Sequence, residues 1–164
     1  MINIDIILRN PEEDDYAAIA GWIHDAVACA RWAGPRMAFP FAVPDLSELL
    51  RMPGGRSWVL GQADRPSPLG FGQYWVNRPG EVHLGRIIVA PEERGRGLGK
   101  QLCRLLMREA GARTGTETFT LRVYRDNPAA QAVYEGLGFQ PVESDSDAEL
   151  LFMRASARTA VGGA

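Results

Sequence analysis

Apolar positions repeat with two different periods along the chain, and the changes of period divide it into elements. Ile2, Ile4, Ile6 and Leu8 alternate with Asn3, Asp5 and Ile7, the pattern of a short strand. Asn10-Pro11-Glu12-Glu13 reads as a helix start: Asn can cap, Pro suits the first helical position, and Glu13 stands where a capping box closes. Ile19, Trp22, Ile23, Ala26 and Val27 then follow the 3/4 spacing of one apolar helix face, to about Ala30. The proline-rich stretch 34–44 reads as irregular, and Asp45-Leu46-Ser47-Glu48 repeats the capping-box pattern before a short helix ending near Pro53-Gly54-Gly55. Period two returns in a meander of strands at 57–62, 69–77 and 81–89, with turns at 63–68 and 78–80. On the third of these, His83, Gly85, Ile87 and Val89 fall on one face. A long helix follows at 97–112, with Leu98, Leu102, Leu105 and Leu106 on its apolar side. A strand at 117–124, a helix from Asn127-Pro128 to Gly136-Leu137-Gly138, and a strand at 149–154 complete the pattern.

This alternation gives a mixed α/β (α+β) fold. With 164 residues the chain makes one domain over 1–154, and the small, polar tail 155–164 reads as disordered. Apolar residues make up 46% and charged residues 23%, which excludes a mainly disordered chain. A net charge of -2 argues against a protein built to grip nucleic acid. No apolar run approaches the roughly 18 residues that span a membrane, and residues 1–5 lack a secretory pattern, so a cytoplasmic location is expected. Cys29 and Cys103 fall on separate helices without metal-ligand spacing. They read as reduced, buried thiols, and no metal is expected.

The stretch from Ile87 to Lys100 carries the clearest chemistry. A β-branched strand runs into Arg94-Gly95-Arg96-Gly97-Leu98-Gly99-Lys100, which opens an amphipathic helix. The first amides of a helix lack partners and its dipole favours an anion there. Glycines let a phosphate approach the backbone, and Arg94, Arg96 and Lys100 add positive charge. The P-loop pattern fails, because Arg94 stands where its first glycine belongs and Gln101 where it needs Ser or Thr. The dinucleotide fingerprint fails too, with Lys100 or Leu102 in place of its third glycine.

Arg94-x-x-Gly97-x-Gly99 is followed by Asn127-Pro128-Ala129-Ala130-Gln131-Ala132-Val133-Tyr134-Glu135-Gly136-Leu137-Gly138-Phe139. Together these resemble two motifs of the GCN5-related N-acetyltransferase (GNAT) superfamily, R/Q-x-x-G-x-G/A and N-x-x-A-x-x-x-Y-x-x-x-G-F. The resemblance implies a mostly antiparallel central sheet flanked by helices, with strands 81–89 and 117–124 splayed into an acyl-CoA cleft. It implies acetyl-CoA as co-substrate, a small-molecule amine as acceptor, direct attack without a covalent enzyme intermediate, and dimerisation of a stoichiometry the sequence does not set. Amides of Gly95, Gly97, Leu98, Gly99 and Lys100 would hold the pyrophosphate, and main-chain groups of Ile87 and Val89 the pantetheine arm. The Ile88 or Val89 amide would face the thioester oxygen. Asn127 and Ala130 come from the second motif, where Asn127 also suits a helix cap.

Tyr134 matches the family's acid, aimed at the departing sulfur. For the base, His83 and Glu81 are the residues on offer, with a water chain as the alternative. The related ribosomal-protein alanine acetyltransferases carry a catalytic glutamate where this chain has Arg122, which weighs against acetylation of a protein N-terminus. A non-catalytic acyl-CoA sensor is the rival from another class. In this fold the first two helices and their connection line the acceptor pocket, so Trp32 and Phe39 are candidates to bind the acceptor. Tyr74 is another, on a strand whose two faces look to core and to cleft.

Overall fold

The computed structural model describes residues 5–157. Seven strands form one sheet: β1 (Ile6–Arg9), β2 (Gly55–Gln62), β3 (Arg65–Arg78), β4 (Glu81–Val89), β5 (Thr118–Tyr124), β6 (Gln140–Pro141) and β7 (Leu150–Ser156). Their order is β1-β2-β3-β4-β5-β7-β6, and every neighbouring pair is antiparallel except β4 with β5. Because side chains alternate across a strand, the sheet builds two cores. On one face α4 (Leu98–Thr114) and α5 (Pro128–Gly136) cover Leu60, Tyr74, Val82, Leu84, Phe119 and Leu121. On the other, α1 (Glu13–Trp22), α2 (Ala26–Ala33) and α3 (Leu46–Leu49) bury Val59, Phe71 and Ile88 with Ile19, Cys29 and Leu46.

The apolar stripe expected as one helix over 10–30 is two. Ile23 is extended, and Asp25 caps α2 by accepting the Ala28 amide at 2.7 Å. α1 starts later than Asn10 because its box is built around Asp15. That carboxylate accepts the Glu12 amide at 2.7 Å and is clasped by both Arg9 guanidinium nitrogens at 2.6 and 2.8 Å. Asp15 is 2% exposed, so this ion pair sets the helix register that Glu13 was expected to set. Asp45 makes no side-chain cap, and the chain instead enters α3 through a 3-10 turn at Val43–Asp45. The turn expected at 63–68 shrinks to Ala63-Asp64 as β3 starts at Arg65. β6 was not expected; it pairs Gln140 and Pro141 with Arg154 and Met153. Part of the expected tail is strand, since Ala155 and Ser156 pair with Phe119 and Thr118. Residues 1–4 of the first expected strand, and 158–164 of the tail, lie outside the described residues.

One irregularity shapes the centre of the sheet. Phe71 pairs with Ile88 and Gln73 with Gly85, so β4 carries one residue more than β3 across this interval. The extra residue lies by Arg86, whose φ of 52° makes it the one described non-glycine residue in the left-handed region. The bulge reverses the alternation. Val82, Leu84 and Ile87 face α4, whereas His83, Gly85 and Ile88 face the other way. The expected single face of His83, Gly85, Ile87 and Val89 is therefore divided at Arg86. β4 and β5 pair only at Glu81↔Thr118, Val82↔Phe119 and His83↔Thr120, and then part. From Leu84 onward the β4 edge toward β5 is open.

Candidate active site

The open strand leads directly into the glycine-rich turn. After Val89 a 3-10 turn (Pro91–Glu93) delivers the chain to Gly95 and Gly97, whose φ values of 80° and 77° require glycine. A Cβ at either would meet nothing, so backbone conformation and not crowding selects the residue. Gly97 is the N-cap of α4 and offers no side-chain cap. The first helical bond is Gln101 N–H to the Gly97 carbonyl at 3.2 Å, and the amides from Gly95 to Lys100 donate to no protein acceptor among the described residues. Six successive free donors at the positive end of a 17-residue helix have the chemistry to receive an anion such as a diphosphate.

The flanking charges are arranged differently from the expectation. Arg96 is tied to Glu93, which is nearly buried and also lies 3.6 Å from Arg65. The Lys100 ammonium turns toward Gly136 at the end of α5. Neither Arg94 nor Lys100 has a carboxylate partner among the described residues, and the Arg94 Nε donates to the Val89 carbonyl at 3.3 Å. Lys100, Arg104 and Arg108 instead line a cavity of about 350 Å³ that runs from Gly97 along α4. That row of cations was visible in the sequence at four-residue spacing on the polar side of the helix, but its continuity with the turn was not.

α5 places the second motif. The Asn127 side-chain oxygen Oδ1 accepts the Ala130 amide at 3.2 Å, so Asn127 is a cap in fact. Tyr134 packs against the α4-side core, edge-on to Phe139 with ring centroids 6.2 Å apart. Its hydroxyl has no protein hydrogen-bond partner among the described residues. Burial, and secondarily the neighbouring Cys103 thiol, push its pKa well up, so it keeps its proton at neutral pH. Cys103 itself is fully buried, and burial pushes its thiol to about 12, which leaves no thiolate for covalent transfer.

α2 closes the other side of the splay. Trp32 Nε1 donates to the Arg86 carbonyl at 2.9 Å, and its ring stands edge-on to Phe71. Arg31 reaches β5, stacking 4.1 Å above the Tyr124 ring and gripping Asp126 at 2.6 Å. Phe39 packs into the same apolar cluster as Trp32. Tyr74 does not join them: it faces α4, is 1% exposed, and donates its hydroxyl proton to Glu109. His83 lies on the α2 side, between Trp75 and Phe152, with Nδ1 2.8 Å from Thr120 Oγ1. Burial, then repulsion from Arg122, lower its pKa from 6.5 to about 4. Tyr134 and His83 thus approach the splay from opposite faces of the sheet. Glu81 is engaged with Arg154 at 3.6 Å while its Oε1 is buried without a partner. Sequence reasoning missed Arg86, although a glycine inside a strand followed by a broken apolar alternation is a bulge signal.

An amide-lined helix start beside an unpaired strand edge gives room and donors for an elongated, anion-headed ligand between two parting strands. A sequence profile described as the Acetyltransferase (GNAT) family matches residues 22–139, and the chain belongs to that family. The mycothiol acetyltransferase of Streptomyces coelicolor is 40% identical over 86 residues, covering 51% of this chain and 27% of the relative. An uncharacterized N-acetyltransferase, YobR, of Bacillus subtilis is 41% identical over 59 residues, covering 36% of this chain and 24% of the relative. The chain thus spans about a quarter of the length of these curated relatives. Among solved structures, the spermidine N-acetyltransferase of Vibrio cholerae in complex with CoA and spermine superposes with a TM-score of 0.77 at 19% identity, covering 95% of this chain and 98% of the other. AAC(6')-Ib in complex with ribostamycin and coenzyme A gives 0.74 at 19% identity, covering 94% of each chain. Both share the fold.

Proposed function

We propose that the protein is an acetyl-CoA-dependent N-acetyltransferase that acetylates a primary amine of a small molecule by direct attack. The observation that carries this reading is the run of six unpaired amides from Gly95 to Lys100, set at the end of the open β4 edge. Family membership and the CoA-bound fold neighbours support it.

The residues fit the co-substrate. Amides of Gly95, Gly97, Leu98, Gly99 and Lys100 would bind the pyrophosphate, and the Lys100, Arg104 and Arg108 row would take further phosphate charge. Main-chain groups of Ile87 and Val89 would bind the pantetheine arm as an added strand, with Asn127 across the splay. When bound, acetyl-CoA supplies an activated acyl group whose carbonyl oxygen gains negative charge as the amine attacks. The Ile88 or Val89 amide would receive that charge. Tyr134, held protonated by burial, donates to the departing sulfur. His83, neutral throughout the physiological range, is suited to relaying the amine's proton toward solvent and not to storing it. Trp32 and Phe39 wall the acceptor side, and Tyr74 supports β3 from the core.

Calorimetric titration with coenzyme A, followed by thiol release from acetyl-CoA with an amine panel, tests the reading. Tyr134→Phe is expected to lower kcat by roughly 10²–10⁴-fold with coenzyme A affinity unchanged. Absence of binding heat on folded protein would overturn the assignment, and wild-type turnover in the variant would remove Tyr134 from the chemistry.

A further inference from the structure

We propose that the acceptor carries a carboxylate beside its amine, received by the unpaired guanidinium groups of Arg86 and Arg122 on the α2 side of the sheet. This rests on the acyl-transfer reading above and narrows its acceptor class.

Three aromatic rings form a continuous strip on that side. Trp75 and His83 lie 5.1 Å apart, and His83 and Phe152 are stacked at 6.2 Å. Two guanidinium groups lie against its rings, Arg86 at 5.9 Å from the Trp75 ring and Arg122 at 5.6 Å from the Phe152 ring. Arg86 is partly buried yet has no carboxylate within ion-pair distance among the described residues. Its Nη1 serves the Leu50 carbonyl and Gln73 Oε1, both at 2.9 Å, leaving Nε and Nη2 without a protein acceptor. Burial of a cation without a counter-ion is unfavourable, and accordingly its pKa is lowered. A ligand carboxylate would supply the missing partner in the fork geometry that guanidinium prefers. Arg86 also occupies the bulge immediately before Ile87 and Ile88, the main chain assigned to the thioester.

Arg122 likewise makes no ion pair among the described residues. Asp147, the acid that feels it, is held by the Glu149 and Leu150 amides at 2.8 and 2.7 Å and interacts with Arg122 only through space. The strip's remaining cation, Arg154, is engaged with Glu81 at 3.6 Å and Asp145 at 3.9 Å, and these are the acids that face it. Glu81, Asp145 and Asp147 offset the three guanidinium groups in number, but none of these acids pairs with Arg86 or Arg122. Two guanidinium groups left without a carboxylate on this face favour a zwitterion or an anionic amine over a polyamine or an aminoglycoside.

Thiol release at saturating acetyl-CoA with matched amine pairs tests this: an α-amino acid against its decarboxylated amine, an ω-amino acid against the matching alkylamine, with spermidine and ribostamycin alongside. The carboxylate-bearing member of at least one pair is expected to show about 10-fold higher kcat/KM. Arg122→Gln should raise its KM by about 10-fold with kcat and the KM for acetyl-CoA unchanged, and leave the carboxylate-free amine within twofold. Arg122→Lys should recover part of the loss. Arg122 is exposed, so this test does not depend on the tolerance of the bulge to change at Arg86. Preference for spermidine, ribostamycin or the decarboxylated amines would overturn the proposal, as would an Arg122→Gln effect equal for both classes. Coenzyme A binding without turnover of any panel member would overturn the acceptor class alone, whereas loss of coenzyme A binding would fall on the proposed function.

Discussion

Acid destabilisation centred on His83 follows from the structure and can be given a size. Its imidazole is enclosed by Trp75 and Phe152, with Nδ1 on Thr120 and Arg122 nearby, and its folded pKa is about 4 against 6.5 for an open histidine. The unfolded chain therefore binds more protons than the folded one between these values, and stability rises with pH across that window. The contribution is fully present above about pH 6.5 and is lost as the pH falls toward 4. A shift of about 2.5 units corresponds to about 3 kcal/mol, of which about 2 kcal/mol is gone by pH 5. Carboxylates whose pKa the fold lowers, such as Asp126, Glu143 and Asp147, also weaken the fold in acid, so the measurement must be differential. Urea midpoints of wild type and His83→Gln at pH 7.5 and 5 provide it, because losses at other residues are common to both proteins. Wild type is expected to lose about 2 kcal/mol more than the variant. Equal pH slopes in the two proteins would refute the account of His83 as a neutral, enclosed ring, and with it the relay role that depends on neutrality.

Two further outcomes test separate parts of the framework. Asp15→Ala removes the α1 box and leaves Arg9 without its clasp, and should cost about 3 kcal/mol in denaturant unfolding; a loss below about 1 kcal/mol would mean the pair does not fix the start of α1. Gly97→Ala places a side chain at a φ of 77°, in open space, and should cost about 1 kcal/mol in stability while weakening coenzyme A binding about 10-fold by calorimetry. Unchanged affinity would argue that the turn need not keep its left-handed geometry to bind.

Much of the fold was legible because it follows local rules. The strand at Glu81–Val89 coincides with its sequence pattern, α4 opens at its glycine, and Asn127 caps α5. Errors arose where long-range contacts override those rules. Arg9 selects Asp15 for the first cap, and β7 supplies the partner that turns Gln140 and Pro141 into a strand. The candidate phosphate turn was readable from spacing, since left-handed glycines before an amphipathic helix leave a sequence signature. The acceptor side was not. Whether Tyr74 or Trp75 looks to the cleft depends on sheet register, and the faces of Ile87 and Ile88 depend on one inserted residue.

That inserted residue links the two halves of the site. With strict alternation, Ile88 would point at α4, and no position between Gly85 and Ile87 would offer a side chain at the sheet edge beside the splay. The bulge instead keeps Ile88 in the core with Phe71, returns Ile87 to α4, and holds Arg86 over Trp75 with its carbonyl on Trp32. A left-handed arginine costs about 1–2 kcal/mol of backbone strain. Two hydrogen bonds from its guanidinium, to Leu50 and Gln73, help to hold that conformation without completing its donor set. The same few residues thus present main chain without a strand partner toward β5 and guanidinium donors without a protein acceptor among the described residues. The edge proposed to take the donor and the charge proposed to face the acceptor are therefore not independent decorations of the fold but two consequences of one break in the strand's register.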